Sequence, residues 1–313
     1  MSAIPIRKLN TGAVIPGIGL GCGSDLTPEG IRETKNWVLS AIKLGYRLLD
    51  TAALYGTESV VGKAVRESGV SREEIFVTTK LHWTHPSIFW KSLDDSLEAL
   101  NVGYVDLYLM HSPITWKYEG DGFGMDKIFP KDENGNAKLL DHPNFNETWA
   151  MMEMALATGK VRAIGVSNFS IKTLEQLLKT AKVVPAVNQV EMHPFLVQED
   201  LLQYCRSKGI IVEAYTPTGY SNVLDLPLIK ELADKYNVTP VQLVLAWHIA
   251  RGVIPLPKST NAGRQKQNIT LPTLDPEDVK RISSLDRGER LTQIIDKKDG
   301  RLWGAWTAEQ LGW

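Results

Sequence analysis

Three stretches of the chain share one pattern: residues 46–50 read Tyr-Arg-Leu-Leu-Asp, residues 75–80 read Ile-Phe-Val-Thr-Thr-Lys, and residues 105–111 read Val-Asp-Leu-Tyr-Leu-Met-His. Each stretch is mostly apolar, has the length of a buried strand and ends on an ionisable residue. A polar group at the tip of a buried strand lowers stability unless it is paired with another polar group, so such a group is often retained for a functional role. Because the carboxyl ends of parallel strands in a barrel meet at one face, we expect these three terminal residues to lie close together.

Apolar runs alternate with stretches of helical period along the rest of the chain. Further strands are predicted at residues 15–20, 161–167, 186–189, 210–215 and 252–256. Helices are predicted at residues 59–68, 88–100, 145–158, 171–180, 198–208, 226–236, 240–250 and 261–269. Strict alternation with eight strands predicts an α/β protein with one domain over residues 1–313, a (β/α)8 TIM barrel.

Three segments depart from this alternation. Residues 6–15 contain Asn-Thr-Gly between two short apolar runs, which predicts a β-hairpin ahead of the barrel. Residues 112–143 form a long polar loop that follows a barrel strand, so we expect this loop to shape a pocket at the catalytic face. Residues 287–313 contain three tryptophans, and we expect this tail to pack as a loop over the same face.

The composition excludes several classes of protein. The 313 residues carry a net charge of -1, which favours neither a nucleic acid nor an anionic membrane as partner. The two cysteines, Cys22 and Cys205, have no metal-binding spacing and form no disulfide framework. The first five residues contain no apolar signal core, and no stretch of the sequence is long enough to span a bilayer. We therefore expect a cytoplasmic protein, and a monomer.

Tyr55 follows Asp50 by five residues and completes a set with Lys80 and His111. A phenol has an ordinary pKa of about 10, which a nearby ammonium lowers. Tyr55 can then give a proton to a carbonyl oxygen, with Asp50 holding Lys80 charged and His111 orienting the carbonyl. The set suits the reduction of an aldehyde or ketone by a hydride from a cofactor.

A second enzymatic interpretation uses Lys80 to form a Schiff base, as in a barrel aldolase or isomerase. That chemistry requires a desolvated, neutral lysine. The expected pairing of Lys80 with Asp50 opposes it.

Five motifs resemble those of the aldo-keto reductases, in the expected order. They are residues 49–56 with Glu58, and residues 110–113, 165–169, 188–191 and 256–259. The resemblance covers nearly the whole chain. It implies a (β/α)8 barrel, a nicotinamide cofactor across the barrel mouth and reversible carbonyl reduction. It also implies that Tyr55 is the acid, that Lys80 and Asp50 tune it, and that His111 positions the substrate.

The same resemblance implies where the nicotinamide binds. Ser167, Asn168 and Gln189 are expected to hydrogen-bond the carboxamide, and Tyr215 is expected to stack on the ring. The sequence has no Gly-x-Gly-x-x-Gly motif between a strand and a helix, so a Rossmann site is not predicted.

The run Lys258-Ser259-Thr260 with Arg264 resembles the residues with which the family binds an adenosine 2′-phosphate. A lysine, two hydroxyls and an arginine at a helix start suit a phosphate dianion. NADPH is therefore the expected cofactor. Gln267 stands where the family usually has Glu beside the adenine, followed by the expected Asn268, so we also expect some tolerance of NADH.

The chain departs from many relatives at three pocket positions. Gly23, His82 and Ser112 stand where those relatives have tryptophans, which predicts a roomier and more polar pocket. Trp83 and Trp116, which are offset from those positions, are expected to replace part of the lost aromatic wall. Lys117 is expected to meet an anionic group of the substrate.

These departures favour a sugar aldehyde or a uronate in its open form, as for fungal members that act on sugar-derived aldehydes such as D-galacturonate. Arg290, Lys297 and Arg301 in the tail are further candidates to bind a carboxylate. The alternatives are a general aldose, glyceraldehyde or polyketone reductase, and a non-catalytic channel-associated β-subunit of the same fold. The complete set of four polar residues disfavours the β-subunit.

Overall fold

A short antiparallel hairpin precedes the main sheet in the computed structural model, which describes residues 4–313. Its strands are β1 (Ile6–Lys8) and β2 (Val14–Pro16), and the turn between them contains Asn10 and Gly12. This confirms the predicted hairpin. The expectation about the first five residues falls partly on residues 1–3, which lie outside the described residues.

Eight parallel strands follow within residues 4–313, each paired with its neighbour in chain order. They are β3 (Leu20–Gly21), β4 (Leu48–Asp50), β5 (Phe76–Leu81), β6 (Leu107–Met110), β7 (Ile164–Ser167), β8 (Val187–Glu191), β9 (Ile211–Tyr215) and β10 (Ile254–Pro255). The backbone N–H of Gly19 donates to the carbonyl of Pro255 and that of Gly21 to the carbonyl of Pro257, both at 3.1 Å. These bonds join the first strand to the last and close the predicted (β/α)8 barrel.

Closure of the barrel depends on the absence of a side chain at Gly19. A Cβ at this position would lie 2.6 Å from a methyl carbon of Leu256 and 2.7 Å from Leu48. Real side chains do not approach this closely, so glycine is what allows the first and last strands to meet.

Helices cover the outside of the sheet. Those of residues 4–313 that exceed a single 3-10 turn are α1 (Pro28–Leu44), α2 (Glu58–Glu67), α3 (Phe89–Leu100), α4 (Met125–Ile128), α5 (Phe145–Ala157), α6 (Ile171–Leu178), α7 (Glu199–Ser207), α8 (Tyr220–Leu224), α9 (Pro227–Lys235), α10 (Pro240–Ala250), α11 (Ala262–Asn268), α12 (Pro276–Ser283) and α13 (Ala308–Leu311). Five of these helices were not predicted from the sequence pattern, namely α1, α4, α8, α12 and α13. None of the helices in this part of the chain is long and apolar enough to cross a membrane.

The barrel interior is apolar at one end and polar at the other. Leu48, Leu107, Val187 and Ile254 belong to one buried cluster that fills the lower interior. Charged and polar side chains are buried near the carboxyl ends of the strands, among them Asp50, Lys80, Gln189 and Glu213. The polar layer forms the floor of the catalytic face.

The long loop and the tail pack against each other at this face. The tail contains the two-stranded ribbon β11 (Arg301–Leu302) and β12 (Trp306–Thr307). The ring of Trp303 lies 5.5 Å from that of Trp83 and 4.7 Å from that of Phe129 in the long loop. The tail is therefore a packed cover over the catalytic face, as predicted.

One carboxylate anchors this tail to the barrel. Glu191, at the end of β8, is fully buried and accepts hydrogen bonds from the backbone N–H groups of Leu291 (2.5 Å), Thr292 (3.1 Å) and Gln293 (3.3 Å). His193 Nε2 lies 3.1 Å from the same carboxylate. Burial by itself raises the pKa of Glu191, but these hydrogen bonds outweigh it and lower the pKa to about 2.

We expect Glu191→Gln to loosen the tail and to lower stability by about 1–3 kcal/mol, because buried backbone donors lose a charged acceptor. The native pKa lies below the ordinary value for Glu. The stability contributed by the carboxylate is therefore present above that ordinary value and is lost as the pH falls toward 2. Thermal unfolding and limited proteolysis of the tail measure both effects.

The matched control is Glu289→Gln, because this exposed tail carboxylate has only a 3.9 Å contact with Arg287. Equal melting temperatures and equal cleavage of the two variants would contradict the anchoring role of Glu191.

Candidate active site

The barrel brings the four predicted catalytic residues to one place. Asp50 is the last residue of β4, Lys80 is the penultimate residue of β5, and His111 directly follows β6. Tyr55 ends a single 3-10 turn that begins at Ala53. Adjacent parallel strands align their carboxyl ends, so the side chains converge although the residues are far apart in sequence.

Lys80 is at the centre of this group and has no exposed surface. Its Nζ lies 2.8 Å from the Asp50 carboxylate and donates to the backbone carbonyl of Thr51 at 2.9 Å. The same nitrogen lies 3.3 Å from the hydroxyl of Tyr55. The rings of Tyr55 and His111 meet edge to face, with their centroids 5.7 Å apart.

The charges of these groups follow from burial and from their neighbours. Burial by itself lowers the pKa of Lys80, but Asp50 and Tyr55 outweigh it and raise that pKa above its ordinary value. Burial, with a further contribution from Lys80, holds the pKa of His111 well below its ordinary value. The site therefore contains an ammonium ion and a neutral imidazole at neutral pH.

The net pKa shift of Tyr55 is opposite to the sequence-based expectation. Lys80 does act to lower the phenol pKa, but burial acts more strongly, and the pKa of Tyr55 lies above its ordinary value. The phenol is therefore protonated over the physiological pH range and can donate a proton.

The four residues expected to meet the nicotinamide form a connected group beside Lys80. Tyr215 donates its hydroxyl to Asn168 Oδ1 at 2.8 Å, and Asn168 Nδ2 lies 3.1 Å from Ser167 Oγ. Asn168 has a positive φ of 67°, a left-handed conformation that asparagine tolerates better than most residues. Gln189 Nε2 donates to Asp50 Oδ1 at 2.9 Å, which links this group to Lys80.

A second group lies along a cleft beyond Tyr215. This cleft is lined by the segments that follow β9 and β10 and by helix α11, and the lining residues include Thr216, Pro217, Thr218, Lys258, Ser259, Arg264, Gln267 and Asn268. Thr260 lines an adjoining cleft together with Lys258. The side chains of Lys258 and Arg264 form no ion pair within residues 4–313, so two free cations stand at one end of the cleft. Their chemistry fits a phosphate dianion.

Two of the predicted substrate residues, Gly23 and His82, lie close to the group of Asp50, Tyr55, Lys80 and His111, which is called the tetrad below. A Cβ at Gly23 would lie 3.8 Å from the ring of Tyr55, so glycine leaves open space beside the phenol. His82 is buried against Trp83, and its Nδ1 accepts a hydrogen bond from the backbone N–H of Thr84 at 3.1 Å. Burial lowers the pKa of His82 to about 3. His82 is thus a neutral imidazole with its proton on Nε2.

Ser112, Trp116 and Lys117 are placed differently from one another. Ser112 is buried next to His111, and its Oγ accepts from the backbone N–H of Ile114 at 3.1 Å. Trp116 has no exposed surface and packs on Phe129, so it does not form the predicted pocket wall. Lys117 is half exposed and its Nζ pairs with the Glu119 carboxylate at 2.9 Å. Its charge is therefore already partly compensated, which disfavours the expected role in binding an anionic substrate.

Trp83, the other tryptophan expected to replace part of the aromatic wall, lies beside the tetrad. Its ring lies 5.3 Å from that of His111 and stacks on Trp303 of the tail. β5 ends at Leu81, and the turn that follows places Trp83 over the barrel mouth.

The structure places two further charged residues, Arg290 and Glu213, in positions that bear on the site. Arg290 of the tail stacks on the ring of Trp313 at 3.7 Å, and its guanidinium forms no hydrogen bond or ion pair with residues 4–313. Glu213, inside β9, is fully buried next to Gln189. Sequence reasoning did not identify Glu213, although a carboxylate in the middle of an apolar strand was a usable signal. Within the described chain, no three His, Cys, Asp or Glu side chains are arranged to hold a metal ion.

Comparison with known proteins agrees with this geometry. The sequence profile of the Aldo/keto reductase family matches residues 21–287. An aldehyde reductase of Saccharomyces cerevisiae is 42% identical over 95% of this chain and 95% of its own length. A D-galacturonate reductase of Hypocrea jecorina is 40% identical over 88% of each chain.

Solved structures include a similar protein. The crystal structure of an aldo-keto reductase of Bombyx mori in complex with NADP superposes with a TM-score of 0.84 at 36% identity, covering 97% of this chain and 100% of the other. The family match, the identity over nearly the full length and the shared barrel agree: the chain belongs to the aldo/keto reductase family and is an oxidoreductase.

Proposed function

We propose that this protein reduces an aldehyde or ketone to an alcohol with NADPH, and that Tyr55 donates the proton to the carbonyl oxygen. The observation that carries the proposal is the position of Lys80 Nζ, between the Asp50 carboxylate at 2.8 Å and the Tyr55 hydroxyl at 3.3 Å. An ammonium held in this way stabilises the phenolate that remains after proton transfer.

The other residues of the site complete the reaction geometry. The bound nicotinamide supplies the hydride. His111 is neutral and can donate a hydrogen bond to the substrate carbonyl from Nε2, because its Nδ1 is sealed from solvent without a partner in residues 4–313. The carbonyl oxygen is then held between Tyr55 and His111, which is the position from which a proton is transferred.

The choice of NADPH is supported by Lys258 and Arg264. Neither side chain forms an ion pair within residues 4–313, and a 2′-phosphate offers both of them charge-assisted hydrogen bonds. The related Bombyx mori protein has NADP bound, and a Saccharomyces cerevisiae relative with 44% identity over 91% of this chain and 92% of its own is a glycerol 2-dehydrogenase (NADP(+)).

The substrate we propose is a polar sugar aldehyde, in particular a hexuronate such as D-galacturonate. Gly23 opens space beside Tyr55, and His82 presents a neutral N–H donor in place of an aromatic wall. Such donors favour substrates with hydroxyl groups, because an apolar substrate leaves them unpaired. The D-galacturonate reductase relative supports this class. A neutral aldose or glyceraldehyde is the second candidate, supported by the aldehyde reductase and glycerol 2-dehydrogenase relatives.

We expect Tyr55→Phe to lower the reduction rate by about 10²–10⁴-fold and to leave NADPH binding nearly unchanged, because the hydroxyl serves proton transfer. Steady-state kinetics and quenching of tryptophan fluorescence by NADPH measure the two effects. Reduction needs the protonated phenol, whose pKa lies above its ordinary value. The rate of the wild-type protein should therefore show no loss from phenol ionisation between about pH 6 and 9.

Tyr236→Phe is the matched control, because this hydroxyl bonds to Asp278 on the outside of the barrel. Turnover of Tyr55→Phe at the level of this control would show that Tyr55 is not the acid.

Replacement of Lys258 and Arg264 by methionine is expected to raise the KM for NADPH at least tenfold and to change the KM for NADH little. Only NADPH has a phosphate at this position, and each charge-assisted bond is worth about 1.5–3 kcal/mol. Lys266→Met is the control, because Lys266 lies on the same helix α11 and is exposed. An equal loss for both cofactors would refute the phosphate-binding role.

For the substrate, we expect Arg290→Met to raise the KM for galacturonate about tenfold more than the KM for galactose. Loss of a partly buried guanidinium removes a charge-assisted bond to a carboxylate. Lys117→Met should have a smaller effect, because Lys117 already pairs with Glu119. Lys298→Met, in the exposed part of the tail, serves as the control, because Lys298 is not among the candidate carboxylate-binding residues. If galactose is the better substrate and no cation matters, the second candidate is correct.

A further inference from the structure

Glu213 is a buried carboxyl group that the proposed reaction does not use. It lies on β9 with no exposed surface, opposite Gln189 on β8 and Ile254 on β10 in the strand register. Gln189 Nε2 donates to Glu213 Oε2 at 2.8 Å. The other oxygen, Oε1, is sealed from solvent and has no hydrogen-bond partner within residues 4–313. Burial of an incompletely paired carboxyl costs stability, whereas an apolar residue would pack here without that cost.

The hydrogen bonds of Gln189 indicate what this carboxyl does. The amide nitrogen has two hydrogens, and both are used, one by Asp50 Oδ1 at 2.9 Å and one by Glu213 Oε2 at 2.8 Å. A flipped amide would place its oxygen against two carboxyl oxygens, which is electrostatically unfavourable. The two acceptors therefore hold the amide in one orientation.

This orientation leaves the acceptor of Gln189 available. Oε1 of Gln189 accepts no hydrogen bond from residues 4–313, and the side chain stands beside Ser167 and Asn168 in the group expected to meet the nicotinamide. A carboxamide has an NH2 group, which needs an acceptor. With Asp50 alone as its acceptor, the Gln189 amide would lose one of the two bonds that oppose its flip.

We propose that Glu213 is a positioning residue that holds Gln189 Oε1 toward the carboxamide NH2 of the nicotinamide and, through the same amide, steadies the Asp50 carboxylate. This inference rests on the proposed function, because it assumes that NADPH binds beside Gln189. Glu213 itself touches neither the substrate nor the cofactor.

The charge of Glu213 determines how strongly it opposes the flip of the Gln189 amide. The charged groups that face it are Asp50 on β4 and Lys80 on β5, whereas β8 and β10 contribute Gln189 and Ile254, which are uncharged. Burial, followed by the charge of Asp50, raises the pKa of Glu213 to about 8. Below this pKa one oxygen of the carboxyl bears a proton that can be donated to the oxygen of a flipped Gln189 amide, so Glu213 opposes the flip fully only above it, and the cofactor titrations are made at about pH 9.

The test compares two reduced cofactors that differ only at the carboxamide. In the 3-acetylpyridine analogue of NADPH, a methyl group replaces the NH2 group that would bond to Gln189 Oε1. Dissociation constants for both cofactors are measured by titration of the complete protein, with quenching of tryptophan fluorescence as the signal. We expect the wild-type protein to bind NADPH at least fivefold more tightly than the analogue.

Glu213→Met keeps the side-chain length and removes the acceptor. We expect this variant to bind NADPH more weakly and to lose most of its preference over the analogue, because the freed amide can flip. Glu213→Gln keeps an acceptor oxygen, but its NH2 group can donate to a flipped Gln189 amide, so this variant should keep only part of the preference. Glu213→Leu is the second variant should Glu213→Met fail to fold. Val212→Ala, which removes a buried methyl pair from the opposite face of β9, should change both dissociation constants by the same factor.

An unchanged preference in folded Glu213→Met or Glu213→Leu would overturn the inference. Equal weakening of both cofactors, as in Val212→Ala, would also overturn it, since it would show a purely structural role. A wild-type protein that binds neither cofactor would overturn the proposed function, and this inference with it.

Discussion

The buried ammonium of Lys80 is the group on which the rest of the catalytic face depends. A lysine with no exposed surface is destabilising unless a negative charge and hydrogen-bond acceptors surround it. Asp50 supplies the charge, and the Thr51 carbonyl supplies a further acceptor at 2.9 Å. Loss of one partner from such a buried pair typically costs about 3–5 kcal/mol. The ion pair therefore requires β4 and β5 to keep their register, and it places the phenol of Tyr55 within reach of the same ammonium.

The apolar half of the barrel provides the stability that this polar layer does not. Leucine, valine and isoleucine side chains fill the interior below Lys80, and the closure at Gly19 brings the last strand against the first. Above the polar layer, the tail is a separate element that is attached through Glu191 and through the stacked rings of Trp83 and Trp303. The pocket thus has a floor built by the strands and a cover built by the two long segments. The floor carries Asp50, Tyr55, Lys80 and His111, and the cover encloses the pocket from above.

The tetrad and the expected nicotinamide site are not independent. Gln189 donates a hydrogen bond to Asp50, Asp50 pairs with Lys80, and Lys80 lies within hydrogen-bond distance of Tyr55. One chain of hydrogen bonds therefore connects the expected nicotinamide site with the tetrad. The burial that keeps Tyr55 protonated also keeps His111 neutral. Low dielectric surroundings strengthen each of these interactions, which is why a small number of polar groups in the barrel mouth can support proton transfer to a carbonyl oxygen.

The sequence by itself determined the barrel, the reaction class and the group of four polar residues. Period-2 and period-3.6 patterns are local, so they can be read from the sequence. Because the carboxyl ends of all strands in a parallel barrel meet at one face, Asp50, Lys80 and His111 had to converge. It did not determine the sign of the Tyr55 pKa shift, because burial depends on every element around the ring. The fully buried position of Trp116 and the pairing of Lys117 with Glu119 are likewise products of loop packing. Glu213 meets Gln189 only through strand register. Contacts between distant segments follow from the balance of packing and desolvation over the whole molecule, and only the tertiary structure decided them.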